Sequence, residues 1–220
     1  MASLANSAIS QGVNTSFEPF VDLSFPIRGK TLPADHGYGL YAALVHLLPN
    51  LREQSQVQIL TIPGIPDKQG KILLTERSHL HIRVPVSQIP LVYQTAGKKI
   101  TVGIHEIQIG IPAISVLYCA PTLRSRIVTI KGKECMQPNP FLAAARRQLD
   151  GLGIAGQLAI PLNQDKEPSR KTIKIQNQTI VGFTTEVTGL SDEESLKVQQ
   201  YGLGGKRHMG CGVFVPWTSK

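Results

Sequence analysis

The order in which strand-like and helix-like segments alternate constrains this chain more than any other property of its 220 residues. Residues 20–28 (FVDLSFPIR) read as a strand that ends at Gly29. Pro33-Ala-Asp-His36 then opens a helix that runs to Leu48 and is stopped by Pro49-Asn50. Residues 57–62 form a second strand, the turn-rich stretch 63–70 leads to a third over 71–84, residues 85–96 are weakly helical despite Pro90, and 98–109 return as strand. That β-α-β-β-α-β order predicts a ferredoxin-like unit over residues 17–112. The second half repeats it. Residues 116–130 are a strand, and 139–149 a helix with Asn139 as cap and Pro140 in its first turn. Residues 171–175 and 179–187 make a hairpin. Ser191-Asp-Glu-Glu194 is a capping box that starts a short helix through Gln200, and 213–217 is a last strand. A second unit is therefore expected over 113–220, with 156–169 as a mobile insertion and 1–16 as a flexible N-terminus. The expected class is α+β with two tandem units. The halves share a pattern, without a sequence repeat that would establish duplication.

Between the last helix and the last strand lies Tyr201-Gly-Leu-Gly-Gly-Lys-Arg-His-Met-Gly-Cys-Gly212, five glycines in twelve residues. Glycine permits positive φ and lets another molecule approach the bare backbone. Exposed N–H groups beside Lys206, Arg207 and His208 suit a polyanion such as a phosphodiester. The spacing rejects two common nucleotide loops. A Walker A would need glycine where Gln200 stands, and a dinucleotide loop starting at Gly202 would need it where Arg207 stands. A glycine-rich turn closing a hairpin is the plainer account, and the flanking cations favour nucleic acid over it.

Composition narrows the partner. The formal charge is +8 although only 17% of residues are charged, so the cations are poorly offset and a negative partner is favoured. The three cysteines form no CxxC pair, which argues against a disulfide framework and a structural zinc and for a reducing compartment. Residues 1–16 do not read as a signal peptide, and no segment approaches a membrane span. A cytoplasmic location is expected, with no cofactor and no metal.

Several side chains then stand out. On the first helix, Leu40, Tyr41, Leu44, Leu47 and Leu48 share an apolar face, and His46 points roughly the other way. An imidazole there suits general acid–base work, although an ordinary surface histidine is the simpler reading. His36 sits beside Asp35 at the helix start, where the Asp is more simply a cap. Strand periodicity puts Arg77, His79, His81 and Arg83 on one face, either a rail for phosphates or a solvated sheet face. Further cations are Lys98-Lys99, Arg124 with Arg126, Lys131 with Lys133, Arg146-Arg147 and Arg170-Lys171. Beside Ala143–Ala145, Arg146 and Arg147 are expected to reach outward. No nucleophile elbow and no paired carboxylate motif of a two-metal nuclease occur. Metal-free acid–base chemistry remains, and RNA carries its own nucleophile in the 2′-hydroxyl. An RNA-recognition module that stacks bases is disfavoured because aromatics are only 5% of the chain. A small-molecule enzyme is disfavoured by the basic excess.

Taken together, the paired units, the helix-one histidine, Phe25-Pro-Ile-Arg-Gly-Lys-Thr-Leu-Pro-Ala-Asp-His-Gly-Tyr38 and the segment 201–216 resemble one family. The chain resembles the CRISPR repeat endoribonucleases, the sixth of the CRISPR-associated protein families, and looks closest to the type I-MYXAN branch. The resemblance covers nearly the whole chain after residue 17. It implies an α+β fold of the RAMP type, two tandem ferredoxin-like units with a C-terminal glycine-rich loop at 202–212. It further implies cleavage of precursor CRISPR RNA without a metal, by 2′-hydroxyl attack that leaves a 2′,3′-cyclic phosphate and a 5′-hydroxyl. Relatives place a histidine on or beside the first helix as general base. His46 and His36 both match that region, and His46 is preferred because it is free of the core. Lys206 or Arg207 would stabilise charge on phosphate, and Tyr38 or Tyr41 would assist in positioning. Arg77, His79, His81, Arg83, Arg124, Arg126, Arg146, Arg147 and the loop residues Gly204, Gly205, Arg207 and His208 are the expected RNA contacts. The implied partners are CRISPR repeat RNA and other subunits of the effector complex, around a monomer. Some family members only bind RNA, so a non-catalytic subunit of the same fold is the alternative.

Overall fold

The computed structural model describes residues 18–218, and the N-terminal stretch expected to be flexible lies outside the described residues. β1 (Phe20–Arg28) is the spine of the first sheet. Its alternating pattern sends Leu23, Phe25 and Ile27 into the core and leaves Asp22 and Ser24 on the other face. β2 (Thr31–Pro33) leads to α1 (Gly37–Leu47), which buries Leu40 and Leu44 against the sheet, with Leu48 buried just beyond it. Tyr41 and Leu47 lie at the margin of that contact. The chain continues through β3 (Gln58–Ile59), β4 (Ile65–Pro66), β5 (Lys71–Leu73), β6 (His79–Pro85), α2 (Ile89–Tyr93), β7 (Lys99–Val102), β8 (His105–Ile109) and β9 (Ala113–Val116).

The main sheet runs β3-β6-β1-β8-β7, with β9 also on β1. β8 pairs with Ile27 and Arg28, and β9 carries on along the same edge from Ser24 to Val21, so the two behave as one interrupted strand. Counting by unit, the order is second, third, first, fourth, the ferredoxin-like arrangement. Three predicted strands are divided. The one over 116–130 loses Val116 to β9, which carries the first sheet past the expected boundary at 112, and resumes only at Thr122. The stretch 71–84 is broken because Ser78 closes a turn, its hydroxyl donating to the Pro63 carbonyl at 2.6 Å and accepting from the Thr75 amide. β5 joins β2 and β4 in a separate three-stranded sheet. The stretch 98–109 is a hairpin folded at Gly103, whose φ of +64° suits glycine.

The second unit comprises β10 (Thr122–Val128), α3 (Pro138–Gly151), β11 (Gln157–Ala159), β12 (Arg170–Ile175), β13 (Gln178–Thr188), α4 (Asp192–Tyr201) and β14 (Val215–Pro216). Its sheet runs β11-β13-β10-β14, with β12 also on β13, again second, third, first, fourth. The Ser191–Glu194 capping box forms as predicted. α3 starts one residue before the expected cap: Gln137 is the capping residue, without a side-chain bond, and Pro138 opens the first turn where its missing N–H costs nothing. The expected mobile insertion carries structure. β11 pairs with β13, and the Asn163 side chain accepts from the Asp165 and Glu167 amides in the turn that follows.

Each unit has its own core. One gathers Leu23, Phe25, Leu40, Leu44, Ile82 and Val84, and the other packs Phe141 and Phe183, ring centroids 4.9 Å apart, with Leu149, Val187 and Phe214. Polar side chains join the two. Arg83, 1% exposed, forms a bidentate pair with Asp22 (2.7 and 2.9 Å) and donates to the carbonyls of Gln199 and Phe214. Gln58 donates to the Gln199 and Gln200 carbonyls beside it. Among the described residues no helix is long and apolar enough to cross a membrane.

Candidate nucleic-acid interface

α1 begins without a side-chain cap. Asp35, expected in that role, instead accepts from the Lys174 amide of β12 at 2.6 Å and so ties the start of α1 to the second unit. His36, at the capping position, is 2% exposed. Its Nδ1–H donates to the Pro33 carbonyl at 2.8 Å, and its Nε2 accepts from the Ile62 amide at 2.9 Å. Burial, reinforced by the Arg126 charge, pushes its pKa below the ordinary histidine value against the pull of the Pro33 carbonyl. His36 is therefore a neutral bracket with no nitrogen left for a substrate proton, which corrects its placement among the acid–base candidates.

His46 is exposed, as the helical wheel requires. It borders two hollows. One, of about 620 Å³, follows α1 and is lined by Tyr38, Tyr41, Ala42, Val45 and the turn 49–53, including Arg52 and Glu53. The other, of about 540 Å³, lies toward Lys99, Thr101 and Glu106. Arg52 was not singled out by sequence reasoning. Its only signal was a cation just after the proline that stops the helix.

The glycine-rich loop is a packed object rather than an open nest. The Gly204 amide donates to the Gln148 side chain (2.7 Å), the Gly205 amide to the Thr129 carbonyl (3.0 Å), and the Gly212 amide to the Ile127 carbonyl (2.7 Å). The Leu203, Met209 and Cys211 amides are bonded within the loop. The expectation that Gly204 and Gly205 offer free N–H groups is thus corrected, because Gln148 of α3 and the Thr129 carbonyl just beyond β10 have taken them. Among the described residues of the loop, only the Lys206, Arg207 and His208 amides make no such bond. Glycine is needed here for close packing. A Cβ on Gly212, at φ +67°, would collide with the Leu203 carbonyl, and one on Gly37 in α1 would collide with the Met209 carbonyl.

That last contact sets the loop against α1. The His208 ring stacks on Tyr41, centroids 5.3 Å apart and planes 29° from parallel, and its Nε2–H donates to the Gln54 carbonyl at 2.8 Å. His208 therefore stands at the rim of the groove that holds Tyr38, Tyr41 and His46. Lys206 turns elsewhere. It lines a cavity of about 840 Å³ with Lys131, Lys133, Gln148, Met136, Ile180 and Val181. His46 and Lys206 are consequently not brought into one hollow. Arg207 folds onto its own loop, donating to the Gly204 carbonyl at 3.0 Å.

The remaining cations divide cleanly. Arg83 is no phosphate contact, since burial and four hydrogen bonds commit its guanidinium to the joint between units. The charge of Asp22 on the paired strand was the available signal, because β1 and β6 place Asp22 directly opposite Arg83. Arg146 does not reach outward as expected. It donates to Asp150 (2.8 Å) and to the carbonyls of Ile154 and Gly156, holding the turn after α3. Arg124 pairs loosely with Glu186 at 3.5 Å and lies 4.3 Å over the Trp217 ring. His79 and His81 lie with ring centroids 6.2 Å apart, both half-buried, His81 in a hollow shared with the second unit, and burial lowers the His81 pKa despite the Asp22 charge. Arg77, Arg126 and Arg147 are exposed. Among the described residues no group of three or more His, Cys, Asp or Glu side chains is placed to hold a metal ion.

Comparison with known proteins bears on this arrangement. The model of the family described as Cas6 Crispr matches residues 21–219. The CRISPR-associated endonuclease Cas6 of Myxococcus xanthus (strain DK1622) is 35% identical over 197 residues, which cover 90% of this chain and 81% of that protein. Among solved structures, a CRISPR associated protein Cas6 superposes with a TM-score of 0.61 at 13% identity, over 91% of this chain and 100% of the other. A RAMP protein described as binding different RNA substrates superposes at 0.60, also at 13% identity, over 90% and 98%. At that identity the two structures speak for the shared fold.

Proposed function

The chain belongs to the Cas6 CRISPR family, and from that premise we propose that it is a metal-independent endoribonuclease that cuts CRISPR repeat RNA. The observation that carries this reading is the groove along α1, where an exposed His46 meets Tyr38, Tyr41 and Arg52 beneath the glycine-rich loop. His46 takes the proton from a 2′-hydroxyl, the 2′-oxygen bonds to the adjacent phosphorus, and the bond to the 5′-oxygen breaks. The products are a 2′,3′-cyclic phosphate and a 5′-hydroxyl. Arg52 offsets charge developing on the phosphate, and the two tyrosines hold the flanking nucleotides. RNA leaving the groove runs over the basic cleft of Lys131, Lys133 and Lys206, with Arg77, Arg126 and Arg147 as outlying contacts. Slow release from so many phosphate contacts keeps the product bound and lets the protein serve as a subunit of an effector ribonucleoprotein in the cytoplasm.

The test is incubation of the protein with its host's repeat RNA in excess EDTA. One cut with a cyclic-phosphate end is expected, reduced at least ~100-fold in His46→Ala with RNA affinity retained. Loss in a folded His36→Gln but not in His46→Ala would move the base to His36. Tight binding without any cut would make the protein a non-catalytic RNA-binding subunit.

A further inference from the structure

We infer that His208, on the glycine-rich loop, is the general acid of this site and protonates the departing 5′-oxygen. The inference rests on the RNA-cleaving reading of the α1 groove. A transesterification in line at phosphorus needs two proton transfers on opposite sides of the phosphate, one from the 2′-hydroxyl and one to the leaving oxygen. His46 supplies one partner from α1, and the second must come from a different element facing the same groove.

His208 borders that groove through Tyr41. Its ring stacks on Tyr41, which lines the groove with His46, and it bonds to the carbonyl of Gln54, which follows the lining residue Glu53. A carbonyl only accepts, so Nε2 carries a hydrogen in every protonation state, and the remaining nitrogen, Nδ1, makes no protein bond among the described residues. Both contacts fix the ring, the carbonyl by accepting from Nε2–H and the tyrosine by stacking on its face. The two histidines at α1 differ in kind. His36 has both nitrogens occupied, and no hydrogen bond among the described residues orients His46. The loop that carries His208 is fixed against α1 by the Gly37–Met209 contact and against the segment that follows β3 by Gly210 beside Thr61. The ring is thus held in place before substrate arrives. The balance closes within the site. His46 gains the 2′-hydroxyl proton, the O2′–P bond forms, the P–O5′ bond breaks, and the Nδ1 proton of His208 passes to O5′.

The experiment uses two repeat RNAs cut by wild-type protein, His208→Gln and His46→Ala. One carries the natural 5′-oxygen at the scissile bond and the other a 5′-bridging sulfur, whose thiolate leaves without protonation. Glutamine keeps an N–H for the Gln54 carbonyl and so isolates proton donation from loop anchoring. The expected result is a loss of ~100-fold or more for His208→Gln on the oxygen substrate, largely erased on the sulfur substrate, with no such rescue in His46→Ala. Cleavage of the oxygen RNA by His208→Gln within threefold of wild type would overturn the proposal. So would a defect of equal size on both substrates, which marks a purely structural role. If the variant does not fold, wild type alone decides: the alkaline limb of its pH–rate profile should be present for oxygen and absent for sulfur, and identical profiles refute the acid. A wild-type protein that cuts neither RNA defeats the cleavage reading itself, and this assignment falls with it.

Discussion

Replacing His36 with alanine would leave the buried Ile62 amide without a partner, at a cost of about 1–3 kcal/mol, and free the half-buried Pro33 carbonyl. Thermal unfolding should register that loss directly. The same residue gives stability a pH dependence whose sign is fixed. His36 and His81 are both held below the ordinary value of 6.5 in the folded chain, chiefly by burial. The unfolded chain therefore takes up these protons first, so their contribution is complete above about pH 6.5 and is lost as pH falls toward the folded values. The unfolding midpoint should drop between about pH 7.5 and 5.5, and drop less in His81→Gln. Arg83 shows the same logic with a charge. Removing it strands Asp22 and the carbonyls of Gln199 and Phe214, and Arg83→Ala should lose about 3–5 kcal/mol. In sequence, Arg83 reads as a phosphate contact unless Asp22 is matched to it, because strand alternation reports which face a residue occupies and not what later covers that face.

At the scale of elements, the glycine-rich loop and α1 act as one assembly. A methyl on Gly37 or Gly212 would strike backbone rather than a yielding side chain, and Gly212 also needs a positive φ. Gly205 is open on every side and has no such φ. Gly212→Ala and Gly37→Ala should each lower stability by about 1–3 kcal/mol, while Gly205→Ala stays within ~0.5 kcal/mol of the parent; chemical denaturation checks all three. The elements themselves were largely legible. The Ser191 capping box, the apolar stripe of α1 and the hairpin of β12 and β13 form as their residues dictate. The division of 71–84 was not, because Ser78 breaks that run through a hydrogen bond to Pro63, fifteen residues away in the chain. Local propensity carries no record of such a partner.

Across the whole molecule, two cores are joined by buried polar contacts, and exposed lysines line a cleft on the second unit. Replacing Lys131, Lys133 and Lys206 together with alanine should flatten the slope of log affinity against log salt for single-stranded repeat RNA by about 2. Arg146→Ala should leave that slope unchanged, because its guanidinium is bound to Asp150 and two carbonyls. Filter binding between 50 and 200 mM salt, roughly the range over which such slopes are read, separates the two. The alternation of strand-like and helix-like segments, the positive charge and the exposure of His46 were written in the sequence, since each depends on local periodicity or composition, and the Cas6 kinship was written there as a resemblance of motifs. Which cations stay free, which histidine keeps a nitrogen for chemistry, and where the glycine-rich loop lies were decided only by tertiary structure. Those outcomes turn on partners such as Asp22, Gln54, Tyr41 and Gln148, and a hydrogen bond or a ring stack between distant residues exists only once the chain has closed the loops between them.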